Sequence, residues 1–182
     1  MSRTCQLSDV TKQYLHTYRE LVDQMAEQMG RTAATASISE NCLCQLWIHQ
    51  ETGICLCRNL LQYTICIPVQ ELAIRMEQGQ RERALDMERM WDHCSAYRNA
   101  PYDQHAFRCR QCQISSRMIR QMRQISAENQ INTLFLKEML PYHRGAVDLC
   151  QAALHFPVCR DLKQFLYAMI TGQEQEICTM QQ

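Results

Sequence analysis

Apolar residues recur along the chain at three- and four-residue steps, the spacing that puts them on one face of a helix. Leu15, Tyr18, Val22, Met25 and Met29 make one such stripe, from about Asp9 to Met29, with Ser8 as its cap and Gly30 as its stop. Ile114, Met118, Met122 and Ile125 make another between about Asp103 and Ile125. Further helical patterns run over about Ile38 to Gln62, Pro68 to His93, Ile131 to Phe156 and Arg160 to Met180. Their connectors, Tyr63 to Ile67 and Pro157 to Cys159, are short enough to force antiparallel neighbours. Pro68 suits a first helical turn, and Pro141 predicts a kink just before His143. No alternating strand pattern competes. The pattern predicts an all-α antiparallel bundle of six helices.

The six helices fall into two sets of three. Sliding the chain against itself by 93 positions gives 13 identities among residues 25–87, Met25/Met118, Cys57/Cys150, Cys66/Cys159 and Met87/Met180 among them. Chance would supply about four, so duplication explains the rest. The expected organisation is a first repeat over residues 1–94 and a second over 95–182, joined by a short link from Ser95 to Asp103.

Charge excludes some partners. Lys plus Arg equals Asp plus Glu, at 19 each, so no net field draws in nucleic acid or an anionic membrane. Arg108, Arg110, Arg117, Arg120 and Arg123 lie opposite the apolar stripe of their helix and read as a solvated face. No apolar run approaches the roughly 18 residues a membrane helix requires, and no export signal precedes Cys5. A cytoplasmic protein with mostly free thiols is expected.

Sulfur changes the picture. Twelve Cys and eleven Met serve either as adaptable core residues or as soft-metal ligands. Met139, His143 and Cys150 share one helical face, and Met169, Gln173, Glu176 and Met180 share a face of the next helix. Counted outward from the turn near Val158, His143 meets Gln173 and Met139 comes near Glu176 to Met180. Cys150 comes near Leu166 to Met169. Thioether, imidazole, thiolate and carboxylate groups converging there would select Cu(I). A second cluster, Cys94, His105, Cys109 and Cys112, has spacing that suits zinc, a regulatory disulfide or plain packing.

The run Met139-Leu140-Pro141-Tyr142-His143-Arg144-Gly145-Ala146 resembles the Met-x-Pro-His-His-x-x-Ala signature of the bacterial "domain of unknown function 305" family. Gln173-x-x-Glu176-Ile177-x-x-Met180 is similar to the family's second-helix pattern, and copy one carries the frame from Gln45 to Met87. The resemblance implies a ferritin-like bundle, copper binding in some members, and Met139, His143 and Met180, with His49 and Met87, as ligand positions. The departures are Tyr142 and Gln50, each in place of one His of the pair, with Leu46 in place of a Met and Arg83 opposite Glu176.

Two functions follow as expectations. The first is soft-metal (copper) binding or sequestration, with the metal ion as partner and a homo-oligomer as a candidate assembly. The second is a structural or interaction protein with decayed metal sites, for example a dormant-cell coat component cross-linked through Cys. No Glu-x-x-His occurs for a di-iron centre, so an enzyme is not expected.

Overall fold

The computed structural model describes residues 6–182. Among them are six helices: α1 (Asp9–Arg31), α2 (Ile38–Leu61), α3 (Ile67–Ser95), α4 (Pro101–Arg123), α5 (Ile131–Leu154) and α6 (Arg160–Met180). The fold is all-α, and the ends lie within two residues of those expected from periodicity.

Local chemistry sets those ends. The Ser8 and Ser37 hydroxyls accept from the Thr11 and Glu40 amides and cap α1 and α2. Proline in the first turn opens α3 and α4, where its missing N–H costs nothing. Gly30 was expected to stop α1, but no glycine among the described residues has a positive φ and the helix runs on to Arg31. There the Thr32 hydroxyl donates to the Gln28 carbonyl at 3.2 Å. α5 continues through Pro141.

α2 packs against α1 and α3, and α5 against α4 and α6. Each helix also touches its equivalent under the 93-residue offset: α1 with α4, α2 with α5, α3 with α6. These pairings are compatible with a duplicated three-helix unit. The link between the halves is pinned to both. Asn99 accepts from the Ile38 amide at 2.8 Å and donates to the Pro157 carbonyl at 2.6 Å.

The expected stripes are the buried faces: Leu15, Tyr18, Val22, Met25 and Met29 on α1, with Ile114, Met118 and Met122 on α4. Arg117 and Arg123 stand on the outer face of α4, paired with Asp148 and Asp23 at 2.5 and 2.6 Å. Nine of the eleven methionines are buried, so most of this sulfur fills the core. The core divides into two apolar clusters. One holds Tyr14, Met25, Leu60, Met76, Met122, Met139 and Met180. The other holds Ile38, Leu43, Met87, Phe107, Cys150, Leu162 and Met169. Polar side chains of α2, α3, α5 and α6 lie at the middle of the bundle.

A disulfide joins Cys94, at the end of α3, to Cys159, the cap of α6, with Cα atoms 5.5 Å apart. Cys94 is therefore unavailable to the zinc cluster expected from sequence, which is corrected here. The nine other described cysteines are unpaired. Cys5 lies outside the described residues. No helix among the described residues is long and apolar enough to cross a membrane.

Candidate functional site

His49 on α2 and Tyr142 on α5 are equivalent positions under the 93-residue offset, and they meet face to face. Their rings stack with centroids 3.7 Å apart. His49 Nε2 lies 3.0 Å from the Tyr142 carbonyl, and the Tyr142 hydroxyl donates back to the His49 carbonyl. Gly53 makes this approach possible, because a Cβ there would collide with the Tyr142 hydroxyl and the Gln80 amide.

The next pair of equivalent positions continues the pattern. Gln50 Oε1 accepts from Arg83 Nε at 3.1 Å, and His143 Nε2 lies 2.5 Å from Glu176 Oε2. Arg83 Nη2 stands 3.6 Å from Glu176 Oε1, so the cation of copy one closes the carboxylate of copy two. His143 Nδ1 faces the Met139 carbonyl at 2.8 Å, and Gln173 Nε2 contacts Glu176 at 3.4 Å. The counted register set His143 against Gln173; in the structure both side chains meet Glu176. The layer is buried: His49, Gln50, Gln80, His143 and Gln173 are each at most 1% exposed.

Electrostatics follow from that burial. Burial pushes His49 down to about 3, against the Tyr142 carbonyl, with the charges of His143 and Arg83 adding to the fall. Burial lifts the Glu176 carboxyl, but the hydrogen bonds and charges of His143 and Arg83 outweigh it and hold the group below its ordinary value. Burial raises the Tyr142 hydroxyl and the Cys150 thiol well above theirs.

The sulfur-bearing residues expected as ligands fall into two groups. Met139 and Met180 lie in one apolar cluster, while Cys150, Met169 and Met87 lie in the other. Both nitrogens of His143 already face acceptors, and Glu176 faces Arg83. Among the described residues, no three His, Cys, Asp or Glu side chains are grouped so as to hold a metal ion. Of the second cluster, His105, Cys109 and Cys112 lie on α4, where only His105 and Cys109 are in contact, at 3.6 Å.

Sequence reading treated the two copies as separate sites and so missed Gln50, Gln80 and the His49–Tyr142 stack. The 93-residue offset carried the signal, since equivalent helices of a duplicated bundle that pack together bring equivalent residues face to face.

The family described as "Domain of unknown function (DUF305)" matches residues 44–182, which contain the whole polar layer. The chain belongs to this family. Among solved structures, a DUF305 fragment from Deinococcus radiodurans is similar, with TM-score 0.57 and 22% identity over 82% of this chain and 96% of that one. At that identity the likeness shows the fold. No curated protein matches the chain.

A second buried acid lies away from the layer. Glu138 on α5 is 1% exposed and accepts from the Tyr14 hydroxyl. Burial pushes its carboxyl up to about 8, and the Tyr14 hydrogen bond opposes the rise. Gln45 occupies the equivalent position in copy one. From about pH 4.5 to 8 the folded chain keeps a proton that the unfolded chain releases, so Glu138 lowers stability as pH rises. His49 acts oppositely: the unfolded chain takes a proton between about 6.5 and 3 that the folded chain refuses, so its contribution is lost as pH falls. The two slopes cancel where they overlap, and above pH 6.5 only that of Glu138 remains. Stability should then fall by up to about 1.4 kcal/mol per pH unit towards pH 8. Glu138→Gln, which keeps an acceptor for Tyr14, should flatten that limb in urea titrations at pH 6.5, 7.2 and 8. An unchanged limb would show that Glu138 is ionised in the fold.

Proposed function

We propose that this DUF305 chain is a non-catalytic structural or interaction protein, in which the family's ligand positions serve to interlock the two halves of the bundle. A dormant-cell coat component, expected from sequence, is one protein of this kind. The observation that carries the reading is the enclosure of His143 between the Met139 carbonyl and Glu176, with Arg83 on the far side of that carboxylate. A metal at His143 would have to break a charge-assisted hydrogen bond and then sit beside a guanidinium. Of the expected thioethers, Met139 and Met180 share one apolar cluster, and Met87 and Met169 lie in the other. Apolar side chains left at the surface supply contact area for a partner or a second copy: Ile65 and Ile67 at the α2–α3 corner are 93% and 66% exposed, and Tyr102 is 82% exposed.

Soft-metal sequestration, the other function expected from sequence, is tested by a double substitution that preserves volume. Met139→Leu/Met180→Leu should keep the fold, because Leu and Met exchange at small cost in a core. Cu(I) affinity, measured by competition with a chromogenic chelator under reducing conditions, should match that of the unsubstituted chain. A tenfold or greater loss would establish a thioether site and overturn the structural reading.

A further inference from the structure

Eight of the nine unpaired described cysteines divide into an inert set and an available one, and Cys66, at the start of α3, is half-buried. Cys42, Cys57 and Cys150 are buried, and burial raises their thiols, Cys42 to about 12. Cys44 and Cys55 are half-buried and also raised, again chiefly by burial. Thiols held protonated at neutral pH are poor nucleophiles. Cys109, Cys112 and Cys178 are exposed. Of these three, Cys109 has an imidazole against its sulfur: His105 Nε2, one helical turn back on α4, lies 3.6 Å from Sγ. Arg108 and Arg110 flank Cys109 in sequence on this exposed face of α4, the Arg110 guanidinium 5.9 Å from the Phe156 ring. Nothing in the polar layer or in the core packing uses this pair.

We propose that Cys109 is the chain's site of covalent modification by small disulfides that carry carboxylates, with His105 as the base beside the nucleophile. With Nε2 unprotonated, His105 accepts the thiol proton. The Cys109 thiolate then attacks one sulfur of the incoming disulfide. The new S–S bond joins Cys109 to half of the reagent as the reagent's own S–S bond breaks. The other half leaves as a thiolate and His105 passes its proton to solvent, so the thiol is oxidised as the reagent disulfide is reduced. The flanking arginines favour an anionic reagent at the encounter. Cys112 and Cys178 are exposed but have no imidazole in contact among the described residues, so they serve as internal controls.

The experiment uses the full chain and 5,5′-dithiobis(2-nitrobenzoate), an aromatic disulfide with two carboxylates. Release of its thiolate is followed by absorbance, and the first equivalent of label is located by peptide mass mapping. The first label should map to Cys109, and Cys109→Ser should remove the fastest phase, slowing the first equivalent about tenfold or more. His105→Gln should slow that phase several-fold at pH 7 and shift its pH profile, an effect that a spacer role would not produce. Cys112→Ser and Cys178→Ser should change it less than twofold. Equal labelling of the three exposed thiols, or an unaltered pH profile in His105→Gln, overturns the proposal. All four substitutions lie at the surface, and circular dichroism melts confirm that each variant keeps the fold.

Discussion

Replacing Glu176 with Ala is expected to destabilise the fold by about 3 kcal/mol, the low end of the cost of breaking a buried ion pair, because the Arg83 and Glu176 side chains are 15% and 20% exposed. Glu176 is the one anion between two cationic or proton-donating groups, His143 at 2.5 Å and Arg83 at 3.6 Å. Its removal leaves Arg83 Nη2, which already has no hydrogen-bond acceptor among the described residues, as an uncompensated charge inside the bundle. Removing both charges should cost far less. In Arg83→Leu/Glu176→Leu the charges are exchanged for apolar volume, an exchange that is often neutral at buried pairs. Urea unfolding of both single variants and the double variant closes a thermodynamic cycle. A coupling of about 2 kcal/mol or more is expected. If Glu176→Ala costs no more than a surface substitution, under about 0.5 kcal/mol, the layer does not hold the halves together.

The same layer shows where sequence reading succeeds and where it stops. Helix positions were legible because burial imposes a 3.6-residue period, and Leu15, Tyr18, Val22, Met25 and Met29 carry it without interruption. The antiparallel pairing of α5 and α6 was legible because Pro157 to Cys159 is too short to allow any other; the count put His143 opposite Gln173, whereas its partner is Glu176, one turn further on. Which surfaces of α2 and α5 face one another was not legible from either hairpin alone. The His49–Tyr142 stack depends on how the two halves dock, and a single sequence records this only through the offset between equivalent residues. The position of Cys150 is a related case. Met139 and Cys150 share a helical face but lie eleven residues apart, about 16 Å along the helix axis at 1.5 Å per residue. A shared face therefore does not make a shared pocket. The disulfide escaped notice because Cys94 has no thiol counterpart: the position 93 residues before it is Met1, so the repeat gave no pair to read.

That disulfide leads to the second large effect. Cys94→Ala is expected to cost about 4 kcal/mol of stability under oxidising conditions. The bridge spans 65 residues, and closing a loop of that length removes a corresponding amount of entropy from the unfolded chain. It also lies where the two halves meet, since the Ser37 hydroxyl donates to the Cys94 carbonyl and the Cys159 amide donates to Ser39. These contacts hold both cysteines in place without the S–S bond, so the reduced chain should keep its fold and lose stability alone. Cys159 has a separate task, because its sulfur accepts from the Leu162 amide at 3.4 Å and caps α6. Cys159→Ser keeps an acceptor there, and should match Cys94→Ala in stability, whereas Cys159→Ala should cost roughly a further 1 kcal/mol for the lost cap. Thermal and urea unfolding with and without a reductant separates these contributions. The gap between the unsubstituted chain and Cys94→Ala should close when reductant is added. A gap that persists in reductant would assign the loss to packing at Cys94, and no gap under oxidising conditions would show that the two thiols are not joined in solution.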